Sequence, residues 1–213
     1  MPAGALSVRE GTISGVREAR KQATRRRVLD SARELFEEVG YDEATIRAIA
    51  RRAGVSVGSV FTSFASKSHV LSEVMAERLT ELYADLERVI PHLRGSTADR
   101  CRSLFAVFYA FEFRRLHLFL AYVGAAFDWR AAPALSPVGS NPTLRGMVLS
   151  CLAEGQAQGD VRRDADLELV ADLLIAAYAW NYRLAAHGKA QAAHLTAIFD
   201  RQVGLIFDGL APS

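Results

Sequence analysis

Helical spacing of apolar residues is the feature that most constrains the fold of this chain of 213 residues. Apolar positions recur every three or four residues in most segments, and no segment shows the period-two alternation that marks a half-buried strand. Glycines, prolines and hydroxyl residues interrupt the pattern where helix caps and stops are expected. The pattern predicts an all-α protein with about nine helices.

The helix starts and stops can be placed along the chain from caps, glycines and prolines. A first helix is predicted from about residue 20 to Val39, and Thr45, Ser56 and Ser66 precede the next three as N-terminal caps. The fourth of these helices runs from Lys67 to Val89 and stops before a proline. Further helices are predicted at about 97–115, 116–127, 143–158, 164–186 and 189–208, with a Pro- and Ala-rich loop at 128–142.

Charge is unevenly distributed along the chain, although the net charge is only +2. Residues 1–67 contain 12 Lys and Arg against 8 Asp and Glu, a net charge of +4, whereas the remainder contains 14 against 16, a net charge of −2. A basic end on a nearly neutral body is typical of a protein whose partner is a polyanion.

Several classes of protein are disfavoured by the sequence. The first twenty residues contain no apolar run of signal-peptide length, and the most apolar stretch, residues 104–127, is interrupted by charged residues such as Glu112. Cys101 and Cys151 lack CxxC spacing, which supports neither a disulfide framework nor a zinc knuckle. The histidines are scattered, and GxGxxG, P-loop and HExxH motifs are absent. We expect a cytoplasmic, non-enzymatic protein with reduced thiols, no cofactor, no metal and no membrane association.

The run from Thr45 to Lys67 has the spacing of a DNA-binding helix-turn-helix unit. Ala50 is small enough for a close helix crossing, Gly54 can adopt the left-handed conformation of the turn, and Val60 can pack in the corner. The outward positions of the short third helix are then Val57, Ser59, Thr62 and Ser63. A helix presented in this way brings a few side chains to base edges in the major groove.

A purely structural hairpin of two helices shares these features, so the pattern alone leaves that alternative open. Two further observations favour DNA. The outward side chains of the third helix are small and mostly polar, and the cations Arg25, Arg26, Arg27 and Lys67 flank the unit. The helix starts after Thr45 and Ser66 also offer free backbone N–H groups to phosphate oxygens.

The residues from Arg27 to Leu71 resemble the N-terminal DNA-binding domain of the tetracycline-repressor (TetR) family. The first helix contains A-x-x-L-F-x-x-x-G-Y, the second helix and turn read T-I-x-x-I-A-x-x-A-G-V-S, and the third reads G-S-V-F-x-x-F-x-S-K. The resemblance covers the first third of the chain closely. The rest resembles the family in helix count and in the stretch E-G-Q-x-Q-G-D-V-R-R-D-x-D.

The resemblance implies roles for individual residues of the unit. It implies phosphate contacts from Thr45, Lys67 and the hydroxyls of the third helix, and base-edge contacts from the outward positions named above. Independently of the resemblance, we expect supplementary cations from Arg47, on the outer face of the second helix, and from the basic stretch 17–27. Phe61 stands where the family usually has tyrosine, which removes a phosphate-binding hydroxyl and leaves the ring free to pack inward. The predicted DNA-binding set is Thr45, Arg47, Ser56, Val57, Ser59, Phe61, Thr62, Ser63 and Lys67.

Aromatic residues concentrate in the middle of the chain. An aromatic stripe is usually core, but TetR-family proteins enclose a small-molecule pocket between their middle helices, and an apolar cavity with a few polar groups suits such a site. The predicted lining set is Phe105, Phe108, Tyr109, Glu112, Tyr122, Met147, Cys151, Tyr178 and Asn181. His117, Trp180 and Arg183 are further candidates.

The sequence as a whole predicts a dimeric, effector-responsive transcriptional regulator. Its expected parts are a mobile basic arm at 1–19, a helix-turn-helix domain at 20–66 and a ligand-binding and dimerisation domain at 67–213. The last two helices, about 164–208, have apolar faces that a second copy would bury. The expected partners are double-stranded operator DNA, a small apolar or aromatic effector, and the second copy. The open alternative is a ligand-blind helical protein that binds DNA or a partner as an architectural component.

Overall fold

The computed structural model describes residues 5–126, 142–188 and 190–210. These residues form nine α-helices and no strand, which confirms the predicted fold class. The helices are α1 Ala5–Val39, α2 Ile46–Arg52, α3 Val57–Ser63, α4 Lys67–Val89, α5 Thr97–Glu112, α6 Leu116–Ala126, α7 Pro142–Gln158, α8 Leu167–Ala186 and α9 Ala192–Asp208. Two 3-10 turns, Ile90–His92 and Phe113–Arg115, follow α4 and α5. None of these helices is both long and apolar enough to cross a bilayer.

Helix α1 is the element whose bounds differ most from the prediction. It begins at Ala5 rather than near residue 20, so most of the predicted arm is helical. The prediction required a sustained apolar period, but a helix that has already formed can extend without one, because each added residue gains a backbone hydrogen bond without a new nucleation cost. No proline interrupts residues 5–39. Residues 1–4 and the predicted loop at 128–141 lie outside the described residues.

The chain divides into two compact units, residues 1–74 and 75–213. In the first unit α1, α2 and α3 pack against one another. The buried residues that form this core include Val28, Ala32, Phe36, Ile49, Ala50, Val60, Phe64 and Leu71. The division falls inside α4, whereas the predicted domain boundary lies at its first residue. Helix α4 therefore contributes residues to both units.

In the second unit α5 packs against α7 and α9, and α8 packs against α6, α7 and α9. Local sequence fixes the helix starts. Ser96 and Asp99 form a reciprocal capping box at α5, and Asp166 accepts a hydrogen bond from the Leu169 N–H at the start of α8. The buried aromatic core lies between α5, α8 and α9 and comprises Phe105, Phe108, Tyr109, Tyr178, Tyr182 and Phe199.

Candidate functional site

The turn between α2 and α3 has the geometry expected of a helix-turn-helix. Thr45 Oγ1 accepts a hydrogen bond of 3.1 Å from the Ala48 N–H and so fixes the start of α2. Gly54 follows the end of that helix with a φ of +64°, a conformation in which a Cβ atom is unfavourable. The next residue, Val55, donates its N–H to the Ala50 carbonyl at 3.0 Å, which closes the turn.

The hydroxyl groups of α3 are held in place by local hydrogen bonds. Ser56 Oγ accepts from the Ser59 N–H at 3.0 Å and lies 2.8 Å from Ser59 Oγ. Thr62 Oγ1 donates to the Gly58 carbonyl at 3.0 Å. Each hydroxyl oxygen keeps acceptor capacity after these bonds. Helix α3 therefore presents polar atoms at fixed positions.

Phe61 does not pack inward as the missing hydroxyl suggested. Val60 and Phe64 fill the inner face of α3 and are almost completely buried, whereas Phe61 is 53% exposed and Val57 is 37% exposed. A residue directly after Val60 lies about 100° further around the helix, so Phe61 points away from the filled face. The outer face of α3 thus carries two exposed apolar side chains among its hydroxyls.

The side chain of Lys67 is hydrogen-bonded to the backbone of its own unit. Its Nζ donates to the carbonyl oxygens of Tyr41, Asp42 and Ala44 at 2.8, 3.2 and 3.0 Å, and it lies 4.2 Å from the centre of the Tyr41 ring. A lysine ammonium has three donors, and all three are used here. In this arrangement Lys67 stabilises the segment that leads into α2 and has no donor left for the predicted phosphate contact.

The cations around the unit fall into two groups. Arg25 pairs with Glu73 at 2.8 Å and stacks over the Phe64 ring, so it stabilises the core of this unit. Arg52 donates to Glu38 at 2.8 Å. Arg47 is exposed and has no partner among the residues that the structure describes, and the same holds for Arg51, which sequence reasoning did not select. In this unit, unpaired positive charge therefore lies on α2 and also on α1, where Arg27 is exposed and has no partner among the described residues.

In the second unit, Glu112 is the centre of a buried hydrogen-bond network. Tyr178 and Tyr182 both donate their hydroxyls to Glu112 Oε2. Tyr109 donates to the Tyr178 carbonyl at 3.1 Å and accepts from Asn181 Nδ2 at 3.2 Å. Asn181 Nδ2 also donates to Gln202 Oε1, at 2.8 Å, which links the network to α9.

Burial changes the charge state of Glu112. Its side chain is almost fully buried, and this desolvation raises the pKa of the carboxyl from 4.5 to about 8. The hydrogen bonds from Tyr178 and Tyr182 and the positive charge of Arg78 oppose the rise in the pKa but are the smaller effects. Near neutral pH Glu112 is therefore mostly a protonated, uncharged acid.

The structure places the predicted lining residues in two separate groups. Phe105, Phe108, Tyr109, Glu112, Tyr178 and Asn181 are buried together, with rings in direct contact such as Tyr109 and Tyr178 at 5.0 Å, and Tyr122 is half-buried near Glu112. Met147 and Cys151 instead line a cavity of about 10 Å³ beside the first turns of α5. His117, Trp180 and Arg183 are exposed and do not join either group.

Two members of the Glu112 network were missed by sequence reasoning. Tyr182 follows Tyr178 by four residues on α8, a spacing that puts both rings on one helix face and was available in the sequence. Gln202 lies on another helix, and nothing local in the sequence pairs it with Asn181.

The outer faces of α8 and α9 form an apolar groove of about 630 Å³. Its lining residues are Leu173, Ala176, Ala177, Ala179, Trp180, Gln202, Leu205 and Ile206. Trp180 is 62% exposed and Leu205 is 76% exposed, which is unusual for large apolar side chains on neighbouring helices. This groove lies on the two helices whose apolar faces the sequence singled out.

The first unit is similar in sequence to known bacterial regulators. Residues 28–74 match the family described as bacterial regulatory proteins, tetR family. The HTH-type transcriptional regulator SrpR of Pseudomonas putida is 42% identical over 67 residues, 32% of this chain and 32% of SrpR. The match therefore spans about a third of the length of this curated relative.

Other relatives match over most of the chain. The HTH-type transcriptional repressor KstR2 of Mycolicibacterium smegmatis is 31% identical over 145 residues, 67% of this chain and 70% of KstR2. The structure of Thermus thermophilus FadR, a TetR-family transcriptional repressor in complex with lauroyl-CoA, is similar with a TM-score of 0.75 at 25% identity, over 89% of this chain and 96% of FadR. The likeness thus extends beyond the helix-turn-helix, and the chain belongs to the TetR family of bacterial regulatory proteins.

Proposed function

We propose that this chain is a homodimeric transcriptional repressor that binds a palindromic DNA operator and releases it when a small apolar effector binds. The observation that carries the proposal is the outer face of α3, where hydroxyls held by local hydrogen bonds stand beside the exposed Val57 and Phe61. Such a protein acts in the cytoplasm, and the proposal assigns it no catalytic step.

At the DNA, α3 supplies the contacts that depend on sequence. Val57 and Phe61 offer apolar contact to thymine methyl groups, and the hydroxyls of Ser59, Thr62 and Ser63 accept or donate at base edges and phosphates. Thr45 and Ser56 lie at helix N-termini that phosphates can approach. Arg47 offers a cation to the same phosphates. Hydroxyl contacts are individually weaker than bidentate pairs of arginine with guanine. Phosphate contacts and DNA shape then contribute much of the affinity.

A second copy is the proposed occupant of the groove on α8 and α9. The groove presents Leu173, Trp180, Leu205 and Ile206, which match the apolar core of a symmetric interface. Each first unit reads only a few base pairs, so a dimer on an inverted repeat roughly sums two binding free energies. Sedimentation of the purified protein tests the dimer, and a monomer at micromolar concentration contradicts it.

The effector is proposed to bind in the region of the Glu112 network. The uncharged acid, three tyrosines and Asn181 supply polar groups inside an otherwise apolar interior, as ligand sites require. Because the rings are in contact, the effector must separate them, and it shifts the population toward a form with lower operator affinity. The complex of the relative FadR with lauroyl-CoA makes acyl-CoA thioesters the first compounds to test.

The experiment that tests this function is the selection of genomic DNA fragments by the purified full-length protein at a defined salt concentration. We expect the bound fragments to share an inverted repeat, and a panel of acyl-CoA thioesters and fatty acids of different chain lengths to contain a compound that weakens operator binding. Operator binding that no compound changes favours the ligand-blind architectural protein. Fragments without a common sequence contradict the proposal itself.

A further inference from the structure

Cys101 of α5 and Cys151 of α7 are in contact in the interior of the second unit. Both are buried free thiols, and their Sγ atoms are 3.8 Å apart although they are separated by 50 residues in the chain. The two helices approach closely one turn away, because a Cβ atom on Gly155 would lie only 2.3 Å from Thr97 Oγ1. The pair therefore lies where two backbones are held together, and this local packing fixes the separation of the sulfurs.

The two thiols differ in their electrostatic surroundings. Cys101 donates its S–H toward Cys151 Sγ, and this bond lowers the pKa of Cys151, with Arg100 lowering it further against the effect of burial. The same contact, together with burial, raises the pKa of Cys101 well above its ordinary value. The reactive form of a cysteine is the thiolate. Cys151 is thus the better nucleophile of the two.

Access from solvent also distinguishes the two sulfurs. Cys151 lines the cavity of about 10 Å³ described above, which is room for a molecule the size of water. Four residues of that cavity, Ile90, Leu93, Arg100 and Glu154, also line an open groove of about 390 Å³. Cys101 is fully buried and is not among the lining residues of either. A small oxidant that enters from the groove meets Cys151 first.

Arg100 lines this cavity and is bonded to residues of both α5 and α7. Its side chain is nine-tenths buried, and its Nη1 donates to Glu154 at 2.6 Å and its Nη2 to Thr97 Oγ1 at 3.2 Å. Its Nε is buried and has no hydrogen-bond partner in the described part of the chain. Arg100 therefore places positive charge beside the cavity, and this charge favours the thiolate form of Cys151.

We propose that Cys151 and Cys101 are a peroxide-oxidisable pair that forms a reversible disulfide between α7 and α5. The Cys151 thiolate attacks one oxygen of hydrogen peroxide, the O–O bond breaks, and the departing hydroxide takes up the thiol's proton to leave as water, giving a sulfenic acid at Cys151. Cys101 then attacks that sulfur, loses its proton and displaces hydroxide, which leaves as a second water. Two thiols and one peroxide become one disulfide and two waters.

The geometry permits the second step with a small movement. A disulfide needs a sulfur separation of about 2.05 Å, and the sulfurs start 3.8 Å apart. The proposal goes beyond the repressor function and holds whether or not that function does, because its evidence lies within α5 and α7.

The test uses the reduced, full-length protein treated with hydrogen peroxide, then alkylated in denaturant and mapped as peptides without reductant. We expect one intrachain cross-link between the peptides that contain Cys101 and Cys151, and its loss after dithiothreitol. In Cys101→Ser the expected product is a sulfenic acid at Cys151 that dimedone traps. In Cys151→Ser the remaining thiol is expected to stay alkylatable over the same time.

Three results overturn the proposal: two free thiols in the treated wild-type protein, a cross-link between chains, or oxidation of Cys151→Ser as fast as that of Cys101→Ser. Circular dichroism before oxidation checks that each variant is folded. If a variant does not fold, the rates at which Cys101 and Cys151 are alkylated are measured instead in the native, reduced wild-type protein. Cys151 must then react faster than Cys101, and equal rates contradict the assignment.

Discussion

The outer face of α3 and the outer faces of α8 and α9 are both left exposed by the packing of their own units, but they differ in chemistry. On α3, small hydroxyl side chains are held by local hydrogen bonds, with two apolar side chains among them. On α8 and α9, large apolar side chains form a groove whose lining residues are all uncharged, with the Arg183 guanidinium stacked over the Trp180 ring. Fixed polar atoms suit a polar partner such as DNA, whereas an apolar groove suits another apolar surface.

This difference sets the size of the effects expected from mutation. An apolar interface depends on a few large side chains, so one substitution there can remove most of the association energy. The contacts of α3 are many and individually small. If the two surfaces are used as proposed, changes in the groove have larger consequences for operator binding than changes on α3.

The largest effect is expected from Trp180→Glu in the groove. A charge at this position opposes burial against a second copy, so the variant should sediment as a monomer. Its operator affinity should fall roughly a thousandfold or more, about 4 kcal/mol, because a single first unit then binds alone. Sedimentation velocity and fluorescence anisotropy measure the two quantities.

Val107→Glu is the matched control for this change. Val107 is also an exposed apolar residue of the second unit, but it lies on α5 outside the groove. We expect it to remain a dimer with unchanged operator affinity. A dimeric Trp180→Glu protein contradicts the use of the groove as the interface.

The second-largest effect is expected from pH, because Glu112 is buried in the interior of the second unit. The pKa of Glu112 is about 8 in the folded protein and 4.5 in its ordinary state, so the folded state holds a proton that the unfolded state releases between these values. The free energy of unfolding should therefore fall as the pH rises from 5 to 8, by about 3 kcal/mol from this group. Glu112→Gln should remove this dependence.

Urea denaturation at several pH values measures the dependence. Glu81→Gln, at an exposed position of α4, serves as the control and should keep the slope of the wild type. If the free energy of unfolding falls equally with pH in the wild type and in Glu112→Gln, the Glu112 carboxyl does not hold its proton in the folded state.

Lys67 is expected to stabilise the first unit rather than to contact DNA. Lys67→Ala removes three hydrogen bonds to the segment before α2 and should lower the free energy of unfolding by about 2 kcal/mol. Operator affinity falls with it, while the slope of log affinity against log salt is unchanged. Lys21→Ala, an exposed lysine of α1, is the stability control. A smaller salt slope with intact stability assigns Lys67 to a phosphate instead.

Arg47→Ala is expected to have the opposite signature. Arg47 is exposed and has no partner among the described residues, so its loss should leave stability unchanged and reduce the salt slope by about 0.9 for one phosphate contact. Arg52→Ala, on the same helix but paired with Glu38, should change the slope little. Equal slopes for Arg47→Ala and the wild type remove Arg47 from the interface.

The smallest effect is expected from Phe61→Tyr, which adds the hydroxyl that the resemblance to the TetR family implies at this position. Because this ring is exposed, the added group costs little stability and can donate to a phosphate. Affinity should rise severalfold, about 1 kcal/mol, on all operator sequences alike. Unchanged affinity for Phe61→Tyr in anisotropy titrations means that a hydroxyl at position 61 does not reach a phosphate.

The sequence predicted those features that are local. Thr45 and Ser56 cap the helices they were expected to cap, because a cap needs only a side chain and an N–H three residues later. Lys67 shows the limit: its charge is visible in the sequence, but the three carbonyls that use it lie more than twenty residues away. Trp180 was a candidate for the lining of the effector pocket, but it is exposed. The sequence of α8 alone does not show which of its sides becomes core, because this depends on packing with α5 and α9.

In the proposed dimer, the apolar grooves of two copies pack together, and the α3 helix of each copy binds one half of the same operator. The most direct test of this arrangement compares binding of the wild-type protein to the selected operator with binding to the same DNA after one half-site has been scrambled, at fixed salt. We predict a loss of at least a hundredfold in affinity, together with two chains bound per intact operator. Equal affinity for both fragments, or one chain per operator, contradicts the account.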